Sequence, residues 1–145
     1  MQSQTETHVQ IERCEQVRKR KILVVDDTAD ILELTQTILG MADYETFSAL
    51  GGREALEILS EIDLPDLILL DMRMEGMSGP DFLTVLEEKK PEILKKVPII
   101  FLTGMDKVPM TKASGFIRKP FNIDEFLISV RHFIEIGINP AFLKH

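Results

Sequence analysis

The chain has 145 residues, a net charge of −7, 44% hydrophobic and 28% charged residues, which suits one ordinary globular domain with a sizeable core. The acidic balance argues against direct nucleic-acid binding, which needs a basic face, and the single cysteine, Cys14, excludes an intramolecular disulfide. With no signal-peptide pattern and no apolar run near the roughly 20 residues that span a bilayer, the expected location is the cytoplasm, away from membrane.

Residues 1–20 are polar and end in Arg18-Lys19-Arg20-Lys21, which reads as a solvated arm, with Ile11, Cys14 and Val17 in a weak helical spacing. Ile22-Leu23-Val24-Val25 is wholly apolar, as expected of a strand covered on both faces of a parallel sheet. Residues 30–41 follow with Ile31, Leu34, Ile38 and Met41 at helical spacing. Residues 44–49 alternate like a strand, Gly51-Gly52 breaks the chain, and Ala55, Leu56, Leu59 and Ile62 mark a second helix. After Pro65 comes Asp66-Leu67-Ile68-Leu69-Leu70, the most apolar strand candidate. Ser78-Gly79-Pro80-Asp81 carries a capping serine, an early proline and an acid at the third helical position, and Phe82, Leu83 and Leu86 supply the buried stripe behind it.

Val97-Pro98-Ile99-Ile100-Phe101-Leu102 is a fourth strand and Gly115-Phe116-Ile117-Arg118 a short fifth. Asn122-Ile123-Asp124-Glu125 opens a last helix whose Ile123, Phe126, Val130, Phe133 and Ile134 are expected to face inward, with Gly137 as its stop. Residues 138–145 form a tail. Five alternations of strand and helix predict an α/β fold with an open, doubly wound parallel sheet between helices.

In such sheets, sites form outside the carboxyl ends of the strands. Asp26 and Asp27 follow the first strand, Asp71 the third, Thr103 the fourth, and Lys119 with Pro120 the fifth. Each alone has a plain reading: Asp27 as a helix N-cap, Thr103 as a strand end, Lys119 as a solvated lysine, Phe116 as a core aromatic. Together they place three carboxylates, a hydroxyl and an ammonium on one sheet edge. Clustered carboxylates repel unless a cation joins them, and an all-oxygen, water-accessible set suits Mg²⁺, with Mn²⁺ as an alternative. Such a cation bridges to phosphoryl oxygens, Lys119 and Thr103 can hold two more, and a free oxygen of Asp71 can then attack phosphorus.

Over residues 21–137 the sequence resembles the response-regulator receiver domain of two-component signalling, in the manner of single-domain chemotaxis regulators. The matching stretches are Lys21-Ile-Leu-Val-Val-Asp-Asp27, Pro65-Asp-Leu-Ile-Leu-Leu-Asp71, Pro98-Ile-Ile-Phe-Leu-Thr103 and Ser114-Gly-Phe-Ile-Arg-Lys-Pro-Phe121. The resemblance implies a flavodoxin-like sheet of order 2-1-3-4-5. It implies that Asp71 takes a phosphoryl group from a histidine kinase or histidine phosphotransfer protein, switching contacts with a downstream protein that remains to be named. It also implies that Asp26, Asp27, Asp71 and the Arg73 carbonyl hold Mg²⁺, and that Thr103 and Lys119 contact phosphate. Phe116 takes the place of the switch aromatic that follows Thr103, and the Lys119–Pro120 bond is expected to be cis.

Three departures stand out. Glu75 occupies a position where the family usually has proline. Arg73 and Met105, two residues after the aspartate and the threonine, flank the phosphoryl group, and Arg73 is expected to prolong its lifetime. Only 11 residues, 104–114, join the fourth and fifth strands, and Pro109 disfavours helix at Val108. The family's fourth helix, which makes this crossover, is therefore expected to be shortened or absent, altering the usual output face. The alternatives are a pseudo-receiver not governed by phosphorylation, or a Mg²⁺-dependent aspartyl phosphatase. The phosphatase needs an acid two residues after the nucleophile, where this chain has Arg73. The receiver reading is of a non-enzymatic switch that catalyses only its own phosphorylation and dephosphorylation.

Overall fold

The computed structural model describes residues 18–104, 113–119 and 122–137. In chain order these form β1 (Lys21–Val25), α1 (Ala29–Met41), β2 (Glu45–Ala49), α2 (Gly52–Glu61) and β3 (Leu67–Asp71). They continue with α3 (Gly79–Lys89), α4 (Pro91–Lys96), β4 (Ile99–Thr103), β5 (Gly115–Arg118) and α5 (Ile123–Ile136). The strands make one parallel sheet in the order β2-β1-β3-β4-β5. The fold is therefore the doubly wound parallel sheet that the alternation predicts, in the flavodoxin-like order that the resemblance implies.

The continuous apolar runs follow from burial on both faces, since successive side chains in a strand point to opposite sides. Leu23, Val25, Ile68, Leu70, Ile99 and Phe101 face one core with Ala55 and Leu59 of α2, Phe82 and Leu86 of α3, and Ile93 of α4. Ile22, Val24, Leu67, Leu69, Ile100 and Leu102 face the other, with Leu32, Ile38 and Leu39 of α1 and Phe126 and Val130 of α5. The edge strands β2 and β5 are more open than the three central ones.

Local signals account for most boundaries. The Ser78 hydroxyl accepts from the Asp81 amide at 3.2 Å while the Asp81 carboxylate accepts from the Ser78 amide at 3.3 Å, a complete capping box. The Asn122 side chain accepts from the Glu125 amide at 2.7 Å, and Gly137 ends α5 with φ of 67°.

Several expectations need correction. In α1 the inward face is Leu32, Thr35, Ile38 and Leu39, whereas Ile31, Leu34 and Met41 are exposed. Thr35 is tolerated inside because its hydroxyl donates to the Ile31 carbonyl at 2.8 Å, so a count of apolar residues passes over it. Ile123, in the first turn of α5, is also exposed, while Phe126 and Val130 are buried. The short helix α4 has no counterpart in the sequence reading. Arg18 and Arg20 lie against Asp66 at 3.8 and 3.4 Å, and the Arg20 carbonyl accepts from the Glu45 amide at 2.9 Å, so the end of the arm is tied to the base of the sheet. The expected loss of helix between β4 and β5 falls on residues 105–112, outside the described residues, as does the cis bond expected at Pro120.

Candidate phosphoryl-accepting site

The site lies where β1 and β3 run out side by side. Val25 pairs with Leu70 in register, so Asp26 and Asp71 emerge next to each other at the same sheet edge. Strand β4 adds Thr103, and the Lys119 amide donates to the Thr103 carbonyl at 2.6 Å as β5 ends beside it. Oxygens of Asp26, Asp27 and Asp71 all come within 4.8 Å of one another. Asp26, Asp71 and Thr103 are buried, whereas Asp27 is half-buried at the rim.

Each acid is held by a different partner. The Asp26 Oδ1 accepts from the Thr28 amide at 2.9 Å, and Asp27 Oδ2 accepts from the Glu75 amide at 2.9 Å. The Lys119 Nζ stands 3.3 Å from Asp71 Oδ1 and 3.9 Å from Asp26 Oδ2. The Arg73 side chain is exposed, and its backbone N–H lies where it favours the ionised Asp71 carboxylate. Thr28, not Asp27, is the N-cap residue of α1, so the plain reading of Asp27 does not describe its place.

Glycine allows the close packing behind Asp71. A Cβ on Gly79 would lie 3.0 Å from the Asp71 carbonyl oxygen and 2.7 Å from the Phe101 ring, so the first turn of α3 can rest against the end of β3 only without a side chain there. Phe116, opposite Phe101 in the β4–β5 register, is 45% exposed and stands outside the core. Met105 lies outside the described residues.

The electrostatics ask for more positive charge than the described residues supply. Burial pushes the Asp71 carboxyl above its ordinary range, with the Asp26 charge adding to the shift; Lys119 and the Arg73 amide oppose it without cancelling it. Asp26 Oδ2 is a buried oxygen with no hydrogen-bond partner among the described residues. A buried, unsatisfied carboxylate oxygen is costly unless something meets it. Three carboxylates with one orphaned oxygen, facing a single ammonium among the described residues, fit a hard divalent cation with oxygen ligands.

The sequence matches the response regulator receiver domain family over residues 22–131. The chain belongs to that family. This receiver is 33% identical over 125 residues to sporulation initiation phosphotransferase F of Bacillus subtilis, a match covering 82% of this chain and 97% of that one. It is 34% identical over 119 residues to the DNA-binding response regulator MtrA of Mycolicibacterium paratuberculosis, covering 78% of this chain and half of that longer protein. Among solved structures it is similar to the Vibrio cholerae chemotaxis protein CheY4, with a TM-score of 0.71 at 30% identity, covering 79% of this chain and 98% of that one. The fold and the relatives make this chain a phosphorelay receiver of two-component signalling. None of its described helices is long and apolar enough to cross a membrane.

Sequence reasoning reached the charged residues because strand ends are visible as the points where apolar runs stop. It missed the Glu75 amide that holds Asp27, since a backbone donor leaves no mark in the residue pattern.

Proposed function

We propose that Asp71 is the phosphoryl acceptor of this receiver and that Asp26, Asp27, Asp71 and the Arg73 carbonyl hold Mg²⁺, or Mn²⁺ in its place. The observation that carries the reading is the Lys119 ammonium at 3.3 Å from Asp71, beside three carboxylates too close to coexist comfortably without a cation. When bound, the cation neutralises charge on the phosphoryl oxygens and on the acids. An Asp71 oxygen attacks phosphorus in line as an O–P bond forms. The P–N bond to the donor histidine breaks, and its electron pair leaves with the imidazole nitrogen, which is reprotonated from water. Lys119 and the Thr103 hydroxyl hold two phosphoryl oxygens, and Phe116, exposed on β5, turns inward as that hydroxyl moves.

The donor is a histidine kinase or a histidine phosphotransfer protein, and the output is a change in protein contacts rather than turnover of a substrate. The receiver unit is taken as residues 21–137, and the cytoplasm as its place of work. Incubation with acetyl phosphate and Mg²⁺, followed by mass spectrometry, tests the acceptor: one phosphoryl group on Asp71 is expected, and none in Asp71→Asn. Labelling that persists in Asp71→Asn would overturn the assignment. Arg73 and Met105 are proposed to set the lifetime of the acyl phosphate. Arg73→Asn is expected to lose its phosphoryl group several-fold faster than the parent, because a guanidinium that pairs with phosphoryl oxygens keeps water away from them.

A further inference from the structure

We infer that the backbone amide of Glu75 is a positioning group for Asp27, and through it for the cation site; the inference rests on the reading that the three aspartates hold a divalent cation. Asp26 is buried and held within its own loop by the Thr28 amide, and Asp71 is held by Lys119. Asp27, half-buried, is the most open member of the cluster. Repulsion from two neighbouring carboxylates drives such a side chain outward, and a rotation about χ1 is enough to release it. The Glu75 amide opposes that movement from 48 residues away, joining the β1–α1 loop to the β3–α3 loop at 2.9 Å. A carboxylate has about four lone-pair sites, so accepting this bond through Oδ2 leaves Asp27 free to ligate as well.

The segment that presents the amide is built to stay in place. Met72 and Met74 are buried in the core beneath it, with Arg73 and Glu75 alternating outward. The Met77 amide donates to the Glu75 carbonyl at 2.9 Å, Gly76 takes φ of 80°, and the Gly79 amide closes the loop onto the Met72 carbonyl at 3.0 Å. A proline at position 75 would have no N–H to give. The residue at which this sequence departs from the usual receiver pattern is thus one whose backbone donor fixes a proposed ligand.

Mn²⁺ titration of the full chain, read by electron paramagnetic resonance of the free ion, compares the parent with Glu75→Gln and Glu75→Pro. Both variants lose the carboxylate, but only the second loses the amide, so the difference between them isolates the hydrogen bond. The Kd of Glu75→Pro is expected to exceed that of Glu75→Gln by about fivefold or more, the scale of a charge-assisted bond lost from a preorganised site. Equal affinities in the two variants would overturn the inference and leave the cation reading standing, whereas a parent that binds no Mn²⁺ would overturn both. Amide exchange in the metal-free protein supplies a second readout that does not depend on how Glu75→Pro folds. The Glu75 amide is expected to exchange about tenfold or more faster in Asp27→Ala than in the parent. An unchanged rate would sink the proposal on its own.

Discussion

Asp71 combines two demands that pull its carboxyl in opposite directions. As the proposed acceptor it must be ionised, yet its burial and the neighbouring Asp26 charge favour the protonated form and lift it above its ordinary value of 3.8. A raised native pKa means that the folded chain binds the proton more tightly than the unfolded chain does. Stability therefore falls as pH rises from the ordinary carboxylate value through the raised one, and the full penalty is present above both. Asp71→Asn removes that penalty at the cost of the Lys119 contact, which is the smaller influence. In metal-free buffer near pH 7 the variant is expected to be more stable than the parent by about 1 kcal/mol, an ordinary size for one substitution. The gap should close below the ordinary carboxylate range, where both side chains are neutral. Denaturant midpoints measured across this pH range check the sign; a parent more stable than Asp71→Asn at neutral pH would show that Lys119 outweighs burial.

The elements around the site differ in how openly the sequence announces them. The central strands are legible because both faces are buried and no polar residue interrupts them, so Asp26, Asp71 and Thr103 stand out where the apolar runs end. Helix α3 is legible from its capping box. Helix α1 is visible as a helix but not as an oriented one: two overlapping stripes share the 3.6-residue period, and the buried one includes a threonine. Helix α4 has six residues, too few for periodicity to register. What the pattern also hides is the closeness of α3 to the sheet. Gly79→Ala would set a methyl group 3.0 Å from the Asp71 carbonyl oxygen and 2.7 Å from the Phe101 ring, contacts tight enough to push the helix start away. A loss of about 1–3 kcal/mol in denaturant unfolding is expected, typical of overpacking. Phosphorylation by acetyl phosphate should slow with it, because the loop between β3 and α3 carries the amide that holds Asp27. A variant as stable as the parent would mean that α3 can shift without cost.

On the scale of the whole molecule, the proposed site concentrates what the chain has in excess. The net charge is −7, and the acids at the ends of β1 and β3 include one buried oxygen without a hydrogen-bond partner among the described residues. A cation that binds this cluster binds only the folded state, because the unfolded chain holds Asp26 and Asp71 45 residues apart in sequence. Its stabilisation follows RT ln(1 + [L]/Kd), about 1.4 kcal/mol at ten times Kd. For a domain of this size that corresponds to roughly 2–5 °C in melting temperature. Mg²⁺ is expected to raise the midpoint by this amount, and NaCl at equal ionic strength to raise it less, since screening relieves repulsion but supplies no ligand geometry. Asp26→Asn separates the two effects: it relieves the repulsion permanently, so the variant should start from a higher metal-free midpoint and gain little from Mg²⁺. A response to Mg²⁺ that survives in Asp26→Asn would mean that the ion acts elsewhere on the acidic surface, and the three-aspartate cluster would lose its place as the cation site.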